Sequence, residues 1–455
     1  MSKISRQKTQ IDFTGGDIIK NLILFSIPII LGELLQNLYN SADALVVGNL
    51  VSERALAAVG VCGVISNLLV NFFNGVSVGS NVIVSRAFGM KKQELLNSSI
   101  RAVFSTAVLL GIVLSAIGIV LAPCLLHIAG VLPEYYREAL VYLRIYLAGL
   151  MFTVVYNNGA GILRALGDTG TPFTILAFSC CFNIVLDLIF VGVLHMGVAG
   201  VGLATLVSQG ISVVRVCGAI NRRTGTRCIS FSEIQSNWST VLSAMDIGMA
   251  AGMQSALISF SNLFVVRYMN LFNMASVAGI GIAQRLDKFI ILPAKSFGIT
   301  MTTYVSQNAG AGRYDRVRDG IRKCLLIALV VTLSLSMTVY ALSDKCVALF
   351  NKSPAVVSTG VSMMHVLIPF FWTMAVREVI LGMLRGYKIT RIPMLLTLTG
   401  MVGIRQLFLA VSMSRGLDIR NIFFCYPAAW VSTLLLLLGY FLHIRHRLPG
   451  LGSGD

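Results

Sequence analysis

Five polar side chains stand in a row where their neighbours are mostly apolar: Glu33, Gln36, Asn37, Asn40 and Asp43 recur at spacings of three, one, three and three. That rhythm places all five on one stripe of a helix. Pro28 lies just ahead of them, and a proline inside a helix frees a carbonyl and favours a bend. Further on, Asn183 and Asp187 are four residues apart and share a helix face, and Thr205 follows among small residues. Two carboxylates, an amide and a hydroxyl can offer oxygen to a hard monovalent cation, or share a proton if burial raises a carboxylate's pKa. The bland alternative is that Asp43 and Asp187 cap or brace helices. The second half of the chain is different in sign. Arg285, Lys288 and Lys295 share one helix face beside Asp287, and Arg377-Glu378 and Arg405 follow. These form either ion pairs that hold helices together, such as Arg405 with Glu378, or a wall that attracts anions.

The elements that must position these groups are set by composition. The chain has 455 residues, of which 56% are hydrophobic and only 12% charged, with a mean hydropathy of +0.81. A soluble protein spends about a quarter of its residues on charge, so this one is an integral membrane protein. Nearly unbroken runs such as Leu325 to Leu342 are too long for the alternating segments of a β-barrel. The spans are helices of about 20 residues or more, and reading between polar breaks predicts twelve: about 22–47, 55–84, 100–127, 138–163, 172–194, 197–220, 240–268, 275–306, 321–343, 359–385, 393–414 and 420–443.

The 36 Lys and Arg against 19 Asp and Glu give a net charge of +17. No basic run with interleaved aromatics accompanies it, so nucleic acid is not an expected partner. The excess fits loops that collect basic residues on the cytoplasmic side, which predicts that both termini face the cytoplasm of the cell (inner) membrane. The polar residues 1–17 predict no signal peptide. The nine cysteines are scattered and read as packing residues.

Two halves resemble each other. Val84-Ser85 with Gly89 recurs as Val305-Ser306 with Gly310, Gly161-Ile162-Leu163-Arg164 as Gly382-Met383-Leu384-Arg385, and Pro172 as Pro393, each pair 221 positions apart. An even number of spans per half makes this a parallel repeat. The expected organisation is a cytoplasmic tail (1–17), a six-helix lobe (18–220), a cytoplasmic linker (221–239), a second six-helix lobe (240–444) and a second tail (445–455). Secondary transporters are often built on such repeats. There is no HExxH, no Walker loop and no GxSxG, so the residues suggest no enzyme, and an ion gradient is the expected energy source.

Several stretches taken in order resemble the multidrug and toxic compound extrusion (MATE) family across nearly the whole chain. They are Tyr39-Asn40-Ser41-Ala42-Asp43 with Val47-Gly48; Leu163 through Thr169 before Pro172; Asn183 through Asp187 with Gly197-Val198-Ala199-Gly200 and Ala204-Thr205; and Gln307-Asn308-Ala309-Gly310-Ala311. The resemblance implies an all-α fold of twelve transmembrane helices in two pseudo-symmetric six-helix bundles. It also implies Na⁺- or H⁺-coupled export of amphipathic, often cationic compounds by a monomer in the lipid membrane, with no other cofactor. By matching position, the cation site (the metal site if the ion is Na⁺) falls on Asp43, Asn183, Asp187 and Thr205, and the coupling bend on Pro28. Gln36, Asn157 and Asn158 match polar cavity positions more loosely. Glu33, Asn37, Asn40, Lys288, Lys295 and Glu378 complete the expected cavity residues. Rival readings are a lipid-linked or polysaccharide flippase of the same superfamily, and a non-transporting membrane enzyme or sensor subunit.

Overall fold

A computed structural model describes residues 10–225, 227–416 and 418–452, with the side chains of residues 40–45, 49 and 50 outside the description. The described residues are almost entirely helical. The first half runs α1 (Ile18–Leu50), α2 (Glu53–Gly89), α3 (Gln93–Ile128), α4 (Tyr136–Ala148), α5 (Leu150–Ala165), α6 (Gly170–Asp187) and α7 (Gly197–Thr224). A short α8 (Ser232–Ser236) leads into α9 (Trp238–Met269), α10 (Met274–Gly310), α11 (Tyr314–Ala341), α12 (Ser343–Ala348) and α13 (Pro354–Leu367). The chain ends with α14 (Phe371–Gly386), α15 (Arg391–Leu398), α16 (Arg405–Arg415) and α17 (Arg420–Ile444).

Among the described residues, ten helical segments are long and apolar enough to cross a membrane, and α4 with α5 make an eleventh span bent by 41°. The helix α10 is 37 residues long, but Arg285, Asp287, Lys288 and Lys295 lower its hydropathy. Counted with the others it gives twelve, one for each span expected from the sequence. Many of their large apolar side chains are exposed, such as Val120, Val214 and Met337, which is the surface that lipid solvates.

The helices fall into two compact units. Of the described residues, the first holds those up to Asp12 together with Ile27–Gly252, and the second holds Phe13–Ser26 and those from Met253 onward. The start of α1 therefore packs within the second unit, where Ser26 and Thr300 share a 2.8 Å hydrogen bond and the Phe13 N–H donates to Gln307 Oε1 at 3.0 Å. The start of α9 packs within the first. There Gly79 approaches the Ala244 backbone, Gly75 approaches Gly252, and Gly248 meets Val76 O, so that α2 and α9 touch backbone to backbone.

The sequence repeat is also a repeat of geometry. After α2 the chain turns through the left-handed region at Lys91 (φ 56°), and after α10 at Gly312 (φ 71°), 221 positions later. After α5 it does so at Gly167 (φ 82°), and after α14 at Lys388 (φ 66°), again 221 apart. Such residues end helices by turning the backbone out of αR. Interhelix contacts repeat as well: a Cβ on Gly161 of α5 would come to 3.0 Å from Ser77 O of α2, and one on Gly382 of α14 would meet Gly298 O of α10. Each half thus builds its central helix pair on the same small-residue contact.

Within the first unit, α8 is tied to α3. Glu233 accepts hydrogen bonds from Ser98 Oγ (2.8 Å), Arg101 Nη2 (2.6 Å) and Asn237 Nδ2 (2.7 Å). These donors, Ser98 first and then Arg101, hold the Glu233 carboxyl below the usual carboxylate range. A lowered folded pKa stabilises above the unfolded value of about 4.3, and the contribution disappears as the pH falls through the folded value. The melting temperature of Glu233→Gln should therefore lie below that of the parent at pH 7, and the gap should close as both are acidified below about pH 4. A second test addresses the α2–α9 contact. A methyl group at Gly79 meets backbone that cannot swing aside, so Gly79→Ala should destabilise by about 1–3 kcal/mol. Gly60→Ala on the same helix, with open space around it, should keep the melting temperature or raise it slightly, since alanine favours a helix over glycine.

Candidate functional site

The α6–α7 pair is set by its hydroxyl residues. Ser179 Oγ donates to Ser208 O at 3.0 Å, fixing the register of two neighbouring helices one turn from the groups of interest. Asn183 lies four residues after Ser179, and Thr205 three before Ser208, so the antiparallel pairing brings these two positions level. Asn183 and Asp187 are both 0% exposed. Thr205 is half-buried and accepts a hydrogen bond from Tyr39 of α1, at 3.3 Å between hydroxyl oxygens. Immediately after Asp187 the helix widens into a π-turn, Leu188–Val193. Gly200 of α7 lies against Phe190 within it, where a Cβ would come to 3.1 Å. Single π-turns in helices are frequent at functional sites.

Tyr39 of α1 and Thr205 of α7 thus meet directly, while Asn183 and Asp187 lie buried on α6, the helix paired with α7. Tyr39 adds a hydroxyl that the pattern of carboxylates and amides left out, although it opens the Tyr39–Asp43 motif. The side chains of Asn40 and Asp43 lie outside the described residues. Elsewhere on α1, Glu33 is exposed, Gln36 is half-buried, and Asn37 is exposed and donates to Glu33 O of its own helix. Pro28 lies within α1, close to where the chain passes from the second unit to the first.

Asn157 and Asn158 lie on α5. Asn158 is buried and accepts from Ser80 Oγ at 2.7 Å while donating to Val154 O at 2.9 Å. Both Ser80 and Asn158 line a cavity of about 250 Å³ between α2, α3, α5 and the start of α9, whose other walls include Phe72, Leu110 and Met249. With its amide engaged by Ser80, Asn158 leaves that cavity largely apolar.

A further polar junction follows α5. Asp168 is 1% exposed and caps α6, accepting from the Thr171 N–H at 2.9 Å and from Thr171 Oγ1 at 2.6 Å. It also pairs with Arg223 at 2.5 Å, tying the end of α7 to the start of α6. The three-residue spacing of Asp168 and Thr171 was the available signal for this cap.

In the second unit Lys288 and Lys295 are exposed on α10, as is Arg285, whereas Asp287 between them is buried. Glu378 is buried and pairs with its own neighbour Arg377 at 2.5 Å. This corrects the expected Arg405–Glu378 pair. Arg405 instead donates to Asn262 Oδ1 at 2.8 Å and Ser261 Oγ at 2.6 Å, both on α9. Adjacent residues on α14 satisfy each other, which leaves Glu378 no need of a base from another helix. No group of three or more His, Cys, Asp or Glu that could hold a metal occurs among the described residues.

The MatE family model matches residues 28–189 and 250–411, one copy on each half. The chain is similar to the probable multidrug resistance protein YpnP of Bacillus subtilis, 29% identical over 82% of this chain and 84% of that one. It is also similar to the probable multidrug resistance protein YoeA of the same organism, 23% identical over 93% of each. Among solved structures, a MATE protein crystallised in complex with MaD3S matches 96% of this chain and 97% of its own, with a TM-score of 0.86 at 21% identity.

Breaking a buried pair costs about 3–5 kcal/mol because it strands a charge, whereas replacing both partners is far milder. Arg377→Met and Glu378→Gln should each lower the melting temperature sharply, and the double variant should recover most of the loss. Additive losses in that cycle would show that the two side chains do not act as a pair.

Proposed function

The chain belongs to the MatE family of membrane transporters, and from that premise we propose that it exports amphipathic, cationic organic compounds in exchange for Na⁺ or H⁺ by alternating access. The names of YpnP and YoeA support multidrug export. The single observation that carries the coupling is Asp187, a wholly buried carboxylate one helical turn from the equally buried Asn183, on a membrane-spanning helix. A carboxylate at mid-membrane costs about 2.5–3.5 kcal/mol on insertion scales, and those that persist mark ion or proton pathways.

The donor chemistry fits the proposed ion. Asp187, Asn183 and Thr205 offer a carboxylate, an amide oxygen and a hydroxyl, all hard ligands suited to Na⁺ and equally able to hold a protonated acid by hydrogen bonds. Asp43 would complete the set from α1. In this reading the ion neutralises Asp187 when the transporter is open outward, the compound is released, and the neutral site permits return. A cationic compound entering from the cytoplasm then competes for the same charge. Coupling of this kind requires each ligand to prefer one of two states. A membrane potential contributes about 2.3 kcal/mol per charge per 100 mV. The protein would act as a monomer in the cell membrane, with both termini cytoplasmic and α8 on that side.

The test is dye efflux from proteoliposomes under Na⁺ and proton gradients imposed separately. Asp187→Asn should reduce gradient-driven efflux at least tenfold while leaving the melting temperature close to the parent's, and Thr205→Val should weaken it less. If Asp187→Asn exports at the parent's rate under both gradients, Asp187 takes no part in coupling.

A further inference from the structure

Cys217 and Cys228 are both free thiols, and their side chains are hydrogen-bonded to one another. A tight return of the chain brings them together. Cys217 lies on α7 about two turns before its end at Thr224, and Gly225 (φ 72°) then turns the backbone out of the helix. The chain folds back along α7, where the Cys228 N–H donates to Asn221 Oδ1 at 2.8 Å. Asn221 stands four residues after Cys217 and so shares its face of α7. Two residues beyond Cys228, the Ser230 N–H donates to Ser105 Oγ of α3, also at 2.8 Å. Cys228 is thus pinned on both sides. It is 3% exposed within the apolar cluster that includes Phe104, Val216 and Ile220, and Cys217 packs against that cluster while remaining half-buried.

Cysteines that only fill space behave differently in this protein. Cys62 Sγ donates to Ala139 O at 3.4 Å and Cys324 Sγ to Phe297 O at 3.9 Å, so each spends its weak donor on a backbone carbonyl. At the end of α7 each thiol has the other as its partner. Such a pair is arranged for oxidation, because a resolving sulfur already stands beside the one an oxidant can reach. The half-buried Cys217 is the point of entry for a peroxide. Its sulfur attacks the O–O bond, keeps one oxygen as a sulfenic acid, and releases the other as water with the thiol proton. The Cys228 sulfur then attacks the sulfenic sulfur, the S–O bond breaks, and the second oxygen leaves as water. The two sulfurs have lost one electron each and the peroxide has gained both.

We propose that Cys217 and Cys228 form a peroxide-reactive dithiol that closes to a reversible disulfide and tethers the start of the linker to α7. The inference goes beyond the transport reading, and its readout is covalent chemistry that does not depend on any solute moving. With the linker on the cytoplasmic side, glutathione and thioredoxin keep the pair reduced, so the bond forms under oxidant and opens afterwards. In the test, the purified full-length chain is reduced, treated with hydrogen peroxide, unfolded in N-ethylmaleimide and digested with trypsin and chymotrypsin. Cleavage after Arg215, Arg222, Arg227 and Phe231 separates the two cysteines, so a bond between them appears in mass spectrometry as residues 216–222 joined to residues 228–231. That linked product should be absent before treatment, should dominate at both positions after it, and should vanish with dithiothreitol. Cys228→Ser should leave Cys217 as a sulfenic acid that dimedone traps, and Cys217→Ser should leave Cys228 open to maleimide after unfolding. The oxidised parent should also melt above the reduced parent, because the bond closes a loop in the unfolded chain, and neither variant should show that gap. Full alkylation of both cysteines in the peroxide-treated parent overturns the proposal, as does oxidation of Cys217 to a sulfinic acid without a link, and neither result needs a variant to fold. A link from either residue to a different cysteine in place of this pair overturns it as well.

Discussion

A polar group inside a bilayer has no water to fall back on, and this single constraint explains where most of the buried polar side chains among the described residues find their partners. Serines and threonines in the spans return their hydrogen bonds to carbonyls one turn back, as Ser26 does to Leu22, Ser208 to Ala204 and Thr433 to Ala429. Ser80 finds Asn158, Asp168 finds Thr171 and Arg223, and Glu378 finds Arg377. The hydroxyls of Ser66, Thr332, Ser336 and Thr390 are buried without such a partner, a modest cost beside that of a charged group with no opposite charge next to it. Arg405 is the clearest such group.

The same constraint shapes helix contacts. Apolar surface gains nothing by leaving lipid for another helix, so association rests on close approach and on hydrogen bonds. The backbone contacts at Gly75 and Gly79, at Gly161 against Ser77, and at Gly382 against Gly298 supply the close approach. Because the last two contacts stand 221 positions apart on both of their helices, the duplication preserved the helix pair along with the residues that form it.

Spans and repeat were legible because hydropathy and spacing are properties of the chain read in order. The polar pair Asn183 and Asp187, four residues apart in an apolar run, stood out for the same reason, and the structure buries both. What the sequence could not give is which side chain meets which across helices. Arg405 and Glu378 have opposite charges on nearby spans, and pairing them is a reasonable guess. The structure gives Glu378 its own neighbour, because that residue needs no tertiary alignment to reach it. Lys91 and Lys388 make a similar point for turns. Glycine marks the left-handed position in one copy of each turn, and lysine holds the same conformation in the other, so a search for glycine alone finds half of the pattern.

The two halves share spans, turns and central contacts, yet they differ in the charge they bury. Positions 221 after Asn183 and Asp187 are Ile404 and Phe408, so the second unit has lost both the amide and the acid. Arg405 stands in that same stretch. Asn157 corresponds by the same offset to Glu378, and Tyr156 to Arg377, which replaces an uncharged pair by an ion pair. By the same offset Arg405 stands where the first half has Ile184, so the acid of one half and the base of the other occupy different positions of equivalent spans, each costly where it lies. The two halves therefore keep the same helix contacts while burying different polar groups, so the repeat fixes the scaffold and leaves the polar positions on it free to diverge.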